Sequence, residues 1–196
     1  PNGTAVINNS NRRQVDILSA GPGAICYDYL VSDCWAAEVT AGRGTEGQAV
    51  EVFTGCTMSI YSTVGGALTA ARAGTKATVA IAICPATYNE ELTWPNNSGT
   101  LTQVDLIGLG GSPATSGGAG GVIIGKSAAG DGIVTTTNPC AMTAKNMVIR
   151  GATRSIKWTS GINWRVQCEL VRFTEIVDTN AFVECVFDRC FFEEAV

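Results

Sequence analysis

Few residues of this chain have the types and spacing that chemistry needs. There is no histidine, so a serine nucleophile activated by an imidazole base is excluded. Paired carboxylates remain: Asp178 with Asp188, or Glu169 with Glu184, on neighbouring strands. Two such groups about 5–9 Å apart can hydrolyse a glycosidic bond. The alternation of apolar and polar residues around them favours solvent-facing positions instead. Trp94, Trp158 and Trp164 offer faces on which sugar rings could stack, but each also reads as a packing residue. Residues 120–127, GGVIIGKS, match the phosphate-loop pattern letter for letter. That pattern cradles phosphate only between a strand and a helix that starts at the lysine. Here a glycine-rich loop leads in, Val122-Ile123-Ile124 favours a strand, and Gly130-Asp131-Gly132 is a turn, so nucleotide binding is not expected.

The eight cysteines lie at 26, 34, 56, 84, 140, 168, 185 and 190. No C-x-x-C pair occurs, so the spacing of a zinc site is absent. An even count allows disulfides, but the chain is not a short cysteine-dense scaffold. The expected state is buried free thiol, a small apolar filler. No catalytic, cofactor-binding or metal site is expected, and no cofactor.

The elements that would position these residues are legible in the pattern. Val64, Ala67, Leu68 and Ala71 make one apolar helical face, with Thr63 as N-cap and Gly74 as stop. Thr78 to Cys84 alternates Val79, Ile81 and Ile83 with Ala80 and Ala82, a strand buried on both faces. Pro85 ends it. Residues 88–91 and 95–99 read as turns on either side of a strand stub at 92–94, and 104–107 is the next strand. Residues 110–121 are a low-complexity loop. Near the end, Asn163, Val166, Cys168 and Leu170 are followed by Asn180, Val183, Cys185 and Phe187 at a constant offset of 17. That is about one turn of a parallel coil, and it predicts Cys168 beneath Cys185 and Leu170 beneath Phe187 in the core. Met147 to Ile149 mark the preceding turn. The span from Thr78 on has room for about five or six turns, roughly 25–30 Å at the spacing of paired strands.

Composition sets the class. Charged residues make up 15% of the 196 residues, with glycine and small or β-branched residues abundant, as in a β-rich protein with many turns. The net charge of −4 argues against a nucleic-acid partner. No apolar run is long enough to cross a membrane, and the polar stretch 2–14 predicts no secretory signal, as expected of a chain made in a cytoplasm. Residues 1–62 read as an N-terminal arm or small β region, and 63–196 as the coil.

The succession of helix, strand, sharp turn, short strand, turn and strand is how a right-handed parallel β-helix commonly begins. The residues AARAG (70–74), TVAIAICP (78–85), ATYNEE (86–91) and DLIGLG (105–110) resemble the opening of the pectin-lyase-like β-helix superfamily. Ala86 stands where that family prefers glycine. The resemblance implies an all-β fold, a right-handed parallel β-helix of few rungs with a short capping helix and an N-terminal extension. It does not fix function, because the family holds lyases, esterases, phage tailspikes and non-enzymatic virion proteins. The catalytic motifs of the lyase and esterase branches have no counterpart here. The expectation is a non-enzymatic phage virion protein, a capsid decoration (cement) protein. The alternative is a tailspike-type protein that binds or degrades polysaccharide. The resemblance also implies a homotrimer on a major capsid or other virion protein, with surface polysaccharide as a further partner. Phe191, Phe192 and Val196 are the expected oligomer or shell contacts, because a terminal rung needs a cover.

Overall fold

The computed structural model describes residues 27–53, 56–97, 99–110, 121–135, 137–157, 164–178 and 182–193, the side chains of 53, 182 and 183 apart. In chain order they form β1 (Tyr29–Val31), α1 (Cys34–Thr40), β2 (Gln48–Phe53), β3 (Cys56–Tyr61), α2 (Val64–Ala73), β4 (Thr78–Ile83), β5 (Thr87–Tyr88), β6 (Leu92–Thr93) and β7 (Gln103–Gly108). There follow β8 (Ile123–Ile124), β9 (Ile133–Val134), β10 (Ala141–Ile149), β11 (Arg154–Lys157), β12 (Trp164–Phe173), β13 (Ile176–Val177), β14 (Phe182–Asp188) and β15 (Phe191–Phe192). The fold is all-β in class, with two short helices among the described residues.

A large sheet runs β14-β12-β10-β7-β4-β1-β3-β2, and a small one runs β13-β11-β9-β6. Every pairing in both is parallel except the β2–β3 hairpin. The two-residue strands β5 and β8 continue alongside β10, and β15 alongside β12. From β4 onward the chain leaves the large sheet, touches the small one and returns, and each return adds one strand beside the last. Parallel neighbours cannot be joined by a hairpin, so the connection must pass around each time. Because β1 lies between β3 and β4 and parallel to both, residues 27–62 extend the same sheet.

The main core lies between the sheets. Val79 and Ile81 of β4 sit beside Val104 and Leu106 of β7, which sit beside Met142 and Ala144 of β10, then Val166 and Cys168 of β12. All eight are buried, as stacked apolar rows that repeat at the strand spacing. The second face of β4 is also buried: Ala82 joins Cys84 just beyond the strand, with Leu30, Trp35, Met58 and Ile60, in a smaller cluster near α1. The two-faced apolar reading of 78–84 thus has a concrete cause.

Helix α2 has the expected bounds. The Thr63 side chain accepts from the Gly66 amide, and Val64, Ala67, Leu68 and Ala71 are buried. A second cap comes from the turn after β5. The Glu90 carboxylate accepts from the amides of Val64 at 2.8 Å and Gly65 at 3.0 Å, a negative group at the positive end of the helix. A side chain at Gly65 would collide with that carboxylate. The turn itself is shorter than expected, because Thr87–Tyr88 pairs as strand and only 89–91 bend.

The offset of 17 does not describe the register. Val166 pairs with Cys185 and Cys168 with Phe187, a step of 185 − 166 = 19. Cys185 is exposed and does not stack on Cys168. Two features break the count: a register shift at Trp164/Arg165, and a left-handed residue inside β12, Leu170, at φ 54°. That residue belongs to a stack. Asn146 (φ 55°) lies beside it on β10, and Arg189 (φ 51°) follows beyond β14. On the other side of Asn146 is Gly108, where a Cβ would strike the Asn146 carbonyl, so the close approach requires glycine. The Asn146 amide donates to Gly108 O at 3.0 Å and Gly110 O at 2.8 Å. The large sheet therefore turns its corner at the same place in successive strands.

The cysteine expectation needs two corrections: Cys56 is disulfide-bonded, and Cys34 and Cys185 are exposed rather than buried. Cys34, Cys84, Cys140, Cys168, Cys185 and Cys190 are free, and of these Cys84, Cys140 and Cys168 are buried. Cys26 and the loop 111–120 lie outside the described residues.

Candidate functional site

The two ends of the strand stack differ. At the first, α2 packs on β1, β3, β4 and β6 and seals the main core. At the last, β13, β14 and β15 are edge strands, each paired on one side only among the described residues. Such an edge presents unpaired amides and carbonyls, a template for another strand.

All four exposed large hydrophobic side chains among the described residues lie on these three strands: Ile176 (42%), Val186 (47%), Phe191 (48%) and Phe192 (37%). Register shows which way they face. Cys185 and Phe187 share the face of buried Val166 and Cys168, and Phe192 that of buried Phe173. Cys185, Phe187 and Phe192 are thus core side chains of a last layer, the outermost one among the described residues. Phe192 stacks on Phe173 at 5.0 Å, and Phe187 meets both rings edge-on at 5.8 and 5.3 Å. Glu184, Val186 and Asp188 point to the outer face, beside Arg165, Gln167 and Glu169. Val196 lies outside the described residues.

Charges at this end bind back to the preceding strand. Glu184 pairs with Arg165 at 3.3 Å, Glu193 with Arg172, and Arg189 with both Glu169 and Asp188. Lys145 reaches Glu169 at 3.1 Å. The candidate acid pairs are not brought together, in keeping with the solvent-facing positions that the alternation favours. Asp188 lies beside Glu169, Glu184 beside Arg165, and Asp178 follows β13 in the other sheet, its amide bonded to Ile156 O. Two carboxylates do meet, Glu169 and Asp188, but Arg189 bridges them, which is an ion-pair network on a strand face.

The sugar-stacking reading of the tryptophans fails for two of three. Trp94 and Trp164 are both fully buried, ring centroids 6.2 Å apart, and their indole N–H groups both donate to Cys140 O, at 2.8 and 2.7 Å. They tie β6 and β12 to the start of β10. Trp158 lies outside the described residues. A groove of about 180 Å³ on the outer face, lined by Gln103, Thr143, Arg165, Gln167, Glu184 and Val186 among others, has no aromatic wall. In the phosphate-loop match, Ile123–Ile124 is strand, Val122 and Ile124 are buried, and bends rather than a helix follow Lys126.

Among the described residues no three His, Cys, Asp or Glu side chains are grouped to hold a metal, and no helix is long and apolar enough to cross a membrane. Asp131 is the one buried carboxylate with an unpartnered oxygen among the described residues; its other oxygen pairs with Lys157 at 3.0 Å. Comparison with family models, curated proteins and solved structures finds no match to this chain.

Proposed function

We propose that this chain is a non-enzymatic structural component of a larger assembly. It is built as a short right-handed parallel β-helix, sealed at one end by α2 and completed at the other by a neighbouring chain. The observation that carries this reading is the gathering of exposed apolar side chains on the three edge strands of one end, opposite an end that a helix covers. Full burial of a fully exposed large side chain is worth about 1.5–3 kcal/mol, and since these four are 37–48% exposed, covering them recovers roughly half of that or less each. Exposed apolar clusters of this kind mark contact sites. The resemblance of residues 70–110 is common to enzymes and virion proteins, and within it the lack of the lyase and esterase motifs favours the virion branch, with capsid decoration as the preferred role. In that arrangement three coils stand side by side and present their C-terminal ends to the shell. The polysaccharide alternative loses support, because Trp94 and Trp164 are internal.

Sedimentation velocity across a wide concentration range, with and without particles, tests the reading. Phe191→Asp with Phe192→Asp should abolish association. Since Phe192 packs on Phe173, the milder pair Val186→Thr with Phe191→Ser provides a variant that leaves the ring cluster intact. A folded chain that stays monomeric at all concentrations and binds no particle would overturn it.

A further inference from the structure

We infer that the cover of this end is an extended segment of a different protein, which adds as a parallel strand to β14 and carries basic residues on its outer face. The inference rests on the assembly reading and names the partner's chemistry. Three observations support it. First, β14 offers a seven-residue edge, paired only to β12 among the described residues, at the end of a stack of parallel strands. A partner strand would continue the ladder at that edge. Second, the two faces of that edge differ. The inner face holds Cys185 and Phe187, in line with buried Val166 and Cys168, and calls for apolar side chains. The outer face holds Glu184, Val186 and Asp188 in alternation. Third, the charge is lopsided. Residues 182–193 contain Glu184, Asp188 and Glu193 against Arg189, while Arg165 and Arg172, which pair with Glu184 and Glu193, lie one strand further in on β12. The side chains of Glu184 and Asp188 remain 64% and 57% exposed even with their arginine partners. A second copy approaching end to end would bring the same acidic excess, and like charges on facing strands repel. Basic side chains four positions apart on the added strand would instead fall beside both carboxylates, with apolar residues between them facing inward.

The test uses the full chain and fluorescence anisotropy of labelled peptides. The probe is Thr-Lys-Val-Thr-Val-Lys-Thr, with the two lysines on one face and the two valines on the other. Saturable binding is expected, weakened about five- to tenfold when both lysines become glutamate. Alternate prolines, which remove the donating amides, should abolish it. The double variant Glu184→Lys, Asp188→Lys changes only exposed side chains and should reverse the preference between lysine and glutamate peptides. No saturable binding of the lysine peptide, or equal affinity for both, overturns the inference. If the peptide fails while the chain self-associates through Phe191 and Val186, strand addition is wrong and the assembly reading stands. If the peptide fails and the chain also stays monomeric and binds no particle, both are wrong.

Discussion

Cys84 and Cys168 occupy core positions that a small apolar residue would fill, and their ionisation records it. Burial pushes the Cys84 thiol from the ordinary 9.0 up to about 12 and holds Cys168 well above that ordinary value. Below pH 9 both folded and unfolded chains keep these protons, and the thiols' contribution to stability is complete. Above it the unfolded chain ionises first, so stability falls as pH rises, until the folded thiols ionise in turn. Each thiol should cost about 1.4 kcal/mol per pH unit in that window. Urea midpoints at pH 7.5 and pH 10 should differ accordingly, and Cys168→Ala should flatten the dependence; an unchanged slope would mean the thiol is not sequestered. In the native protein, exposed Cys34 and Cys185 should react with a thiol reagent well before Cys84, Cys140 and Cys168. The burial of Cys84 and Cys168 was legible from their place in apolar strands, whereas Cys185, read the same way, is exposed. The bond at Cys56 was not, because sequence spacing says nothing of which sulfurs meet in space.

At the scale of elements, α2 and β4 were readable because each carries a local signal: a cap and a helical face in one, a two-residue alternation in the other. The Glu90 clamp was visible only as an acid in a turn, since its partners lie 25 and 26 residues away. Glu90→Ala should lower stability by about 1–2 kcal/mol through loss of two amide partners at the helix start, and should loosen α2 selectively in hydrogen exchange. Strand register was misread because the true step hides behind a bulge and a left-handed corner. That corner makes a further prediction. Asn146 takes the left-handed conformation with its side chain bonded to Gly108 and Gly110, whereas Leu170 takes it with a branched apolar chain outside the main core. A left-handed non-glycine residue costs about 1–2 kcal/mol, and asparagine tolerates it better. Leu170→Asn should therefore stabilise the protein by about 0.5–1 kcal/mol in urea denaturation, while Asn146→Leu should destabilise it. A loss on Leu170→Asn would show that the leucine's packing outweighs its backbone strain.

The whole molecule is a stack whose strands each depend on the one before and the one after, so its stability should be graded along its length. In the middle, β7 and β10 have partners on both sides, and buried rows pass through them without a gap. At the first end α2 closes the core, and the Glu90 clamp fastens it. At the last end, among the described residues, β14 pairs with β12 alone, forms the outermost layer, and has ion pairs that reach back to β12 and to its own turn. Parallel strand stacking was legible in the recurring apolar triplets. The imbalance between the ends was legible only in part, as two adjacent phenylalanines, because which face they occupy depends on a register the sequence concealed. Local opening requires breaking fewer contacts at an edge, so amide exchange should be fastest in β14 and β15, slower in β12, and slowest in β7 and β10. The gradient should invert when the end is covered: a bound partner strand supplies acceptors to the outward amides of β14 and buries Cys185, Phe187 and Phe192, so β14 should gain protection far more than β7 does. Hydrogen exchange on the free chain, then on the chain bound to peptide or particle, measures both. Uniform protection along the free chain would mean that the last layer is already closed by the molecule itself, and the end would then have no need of a partner.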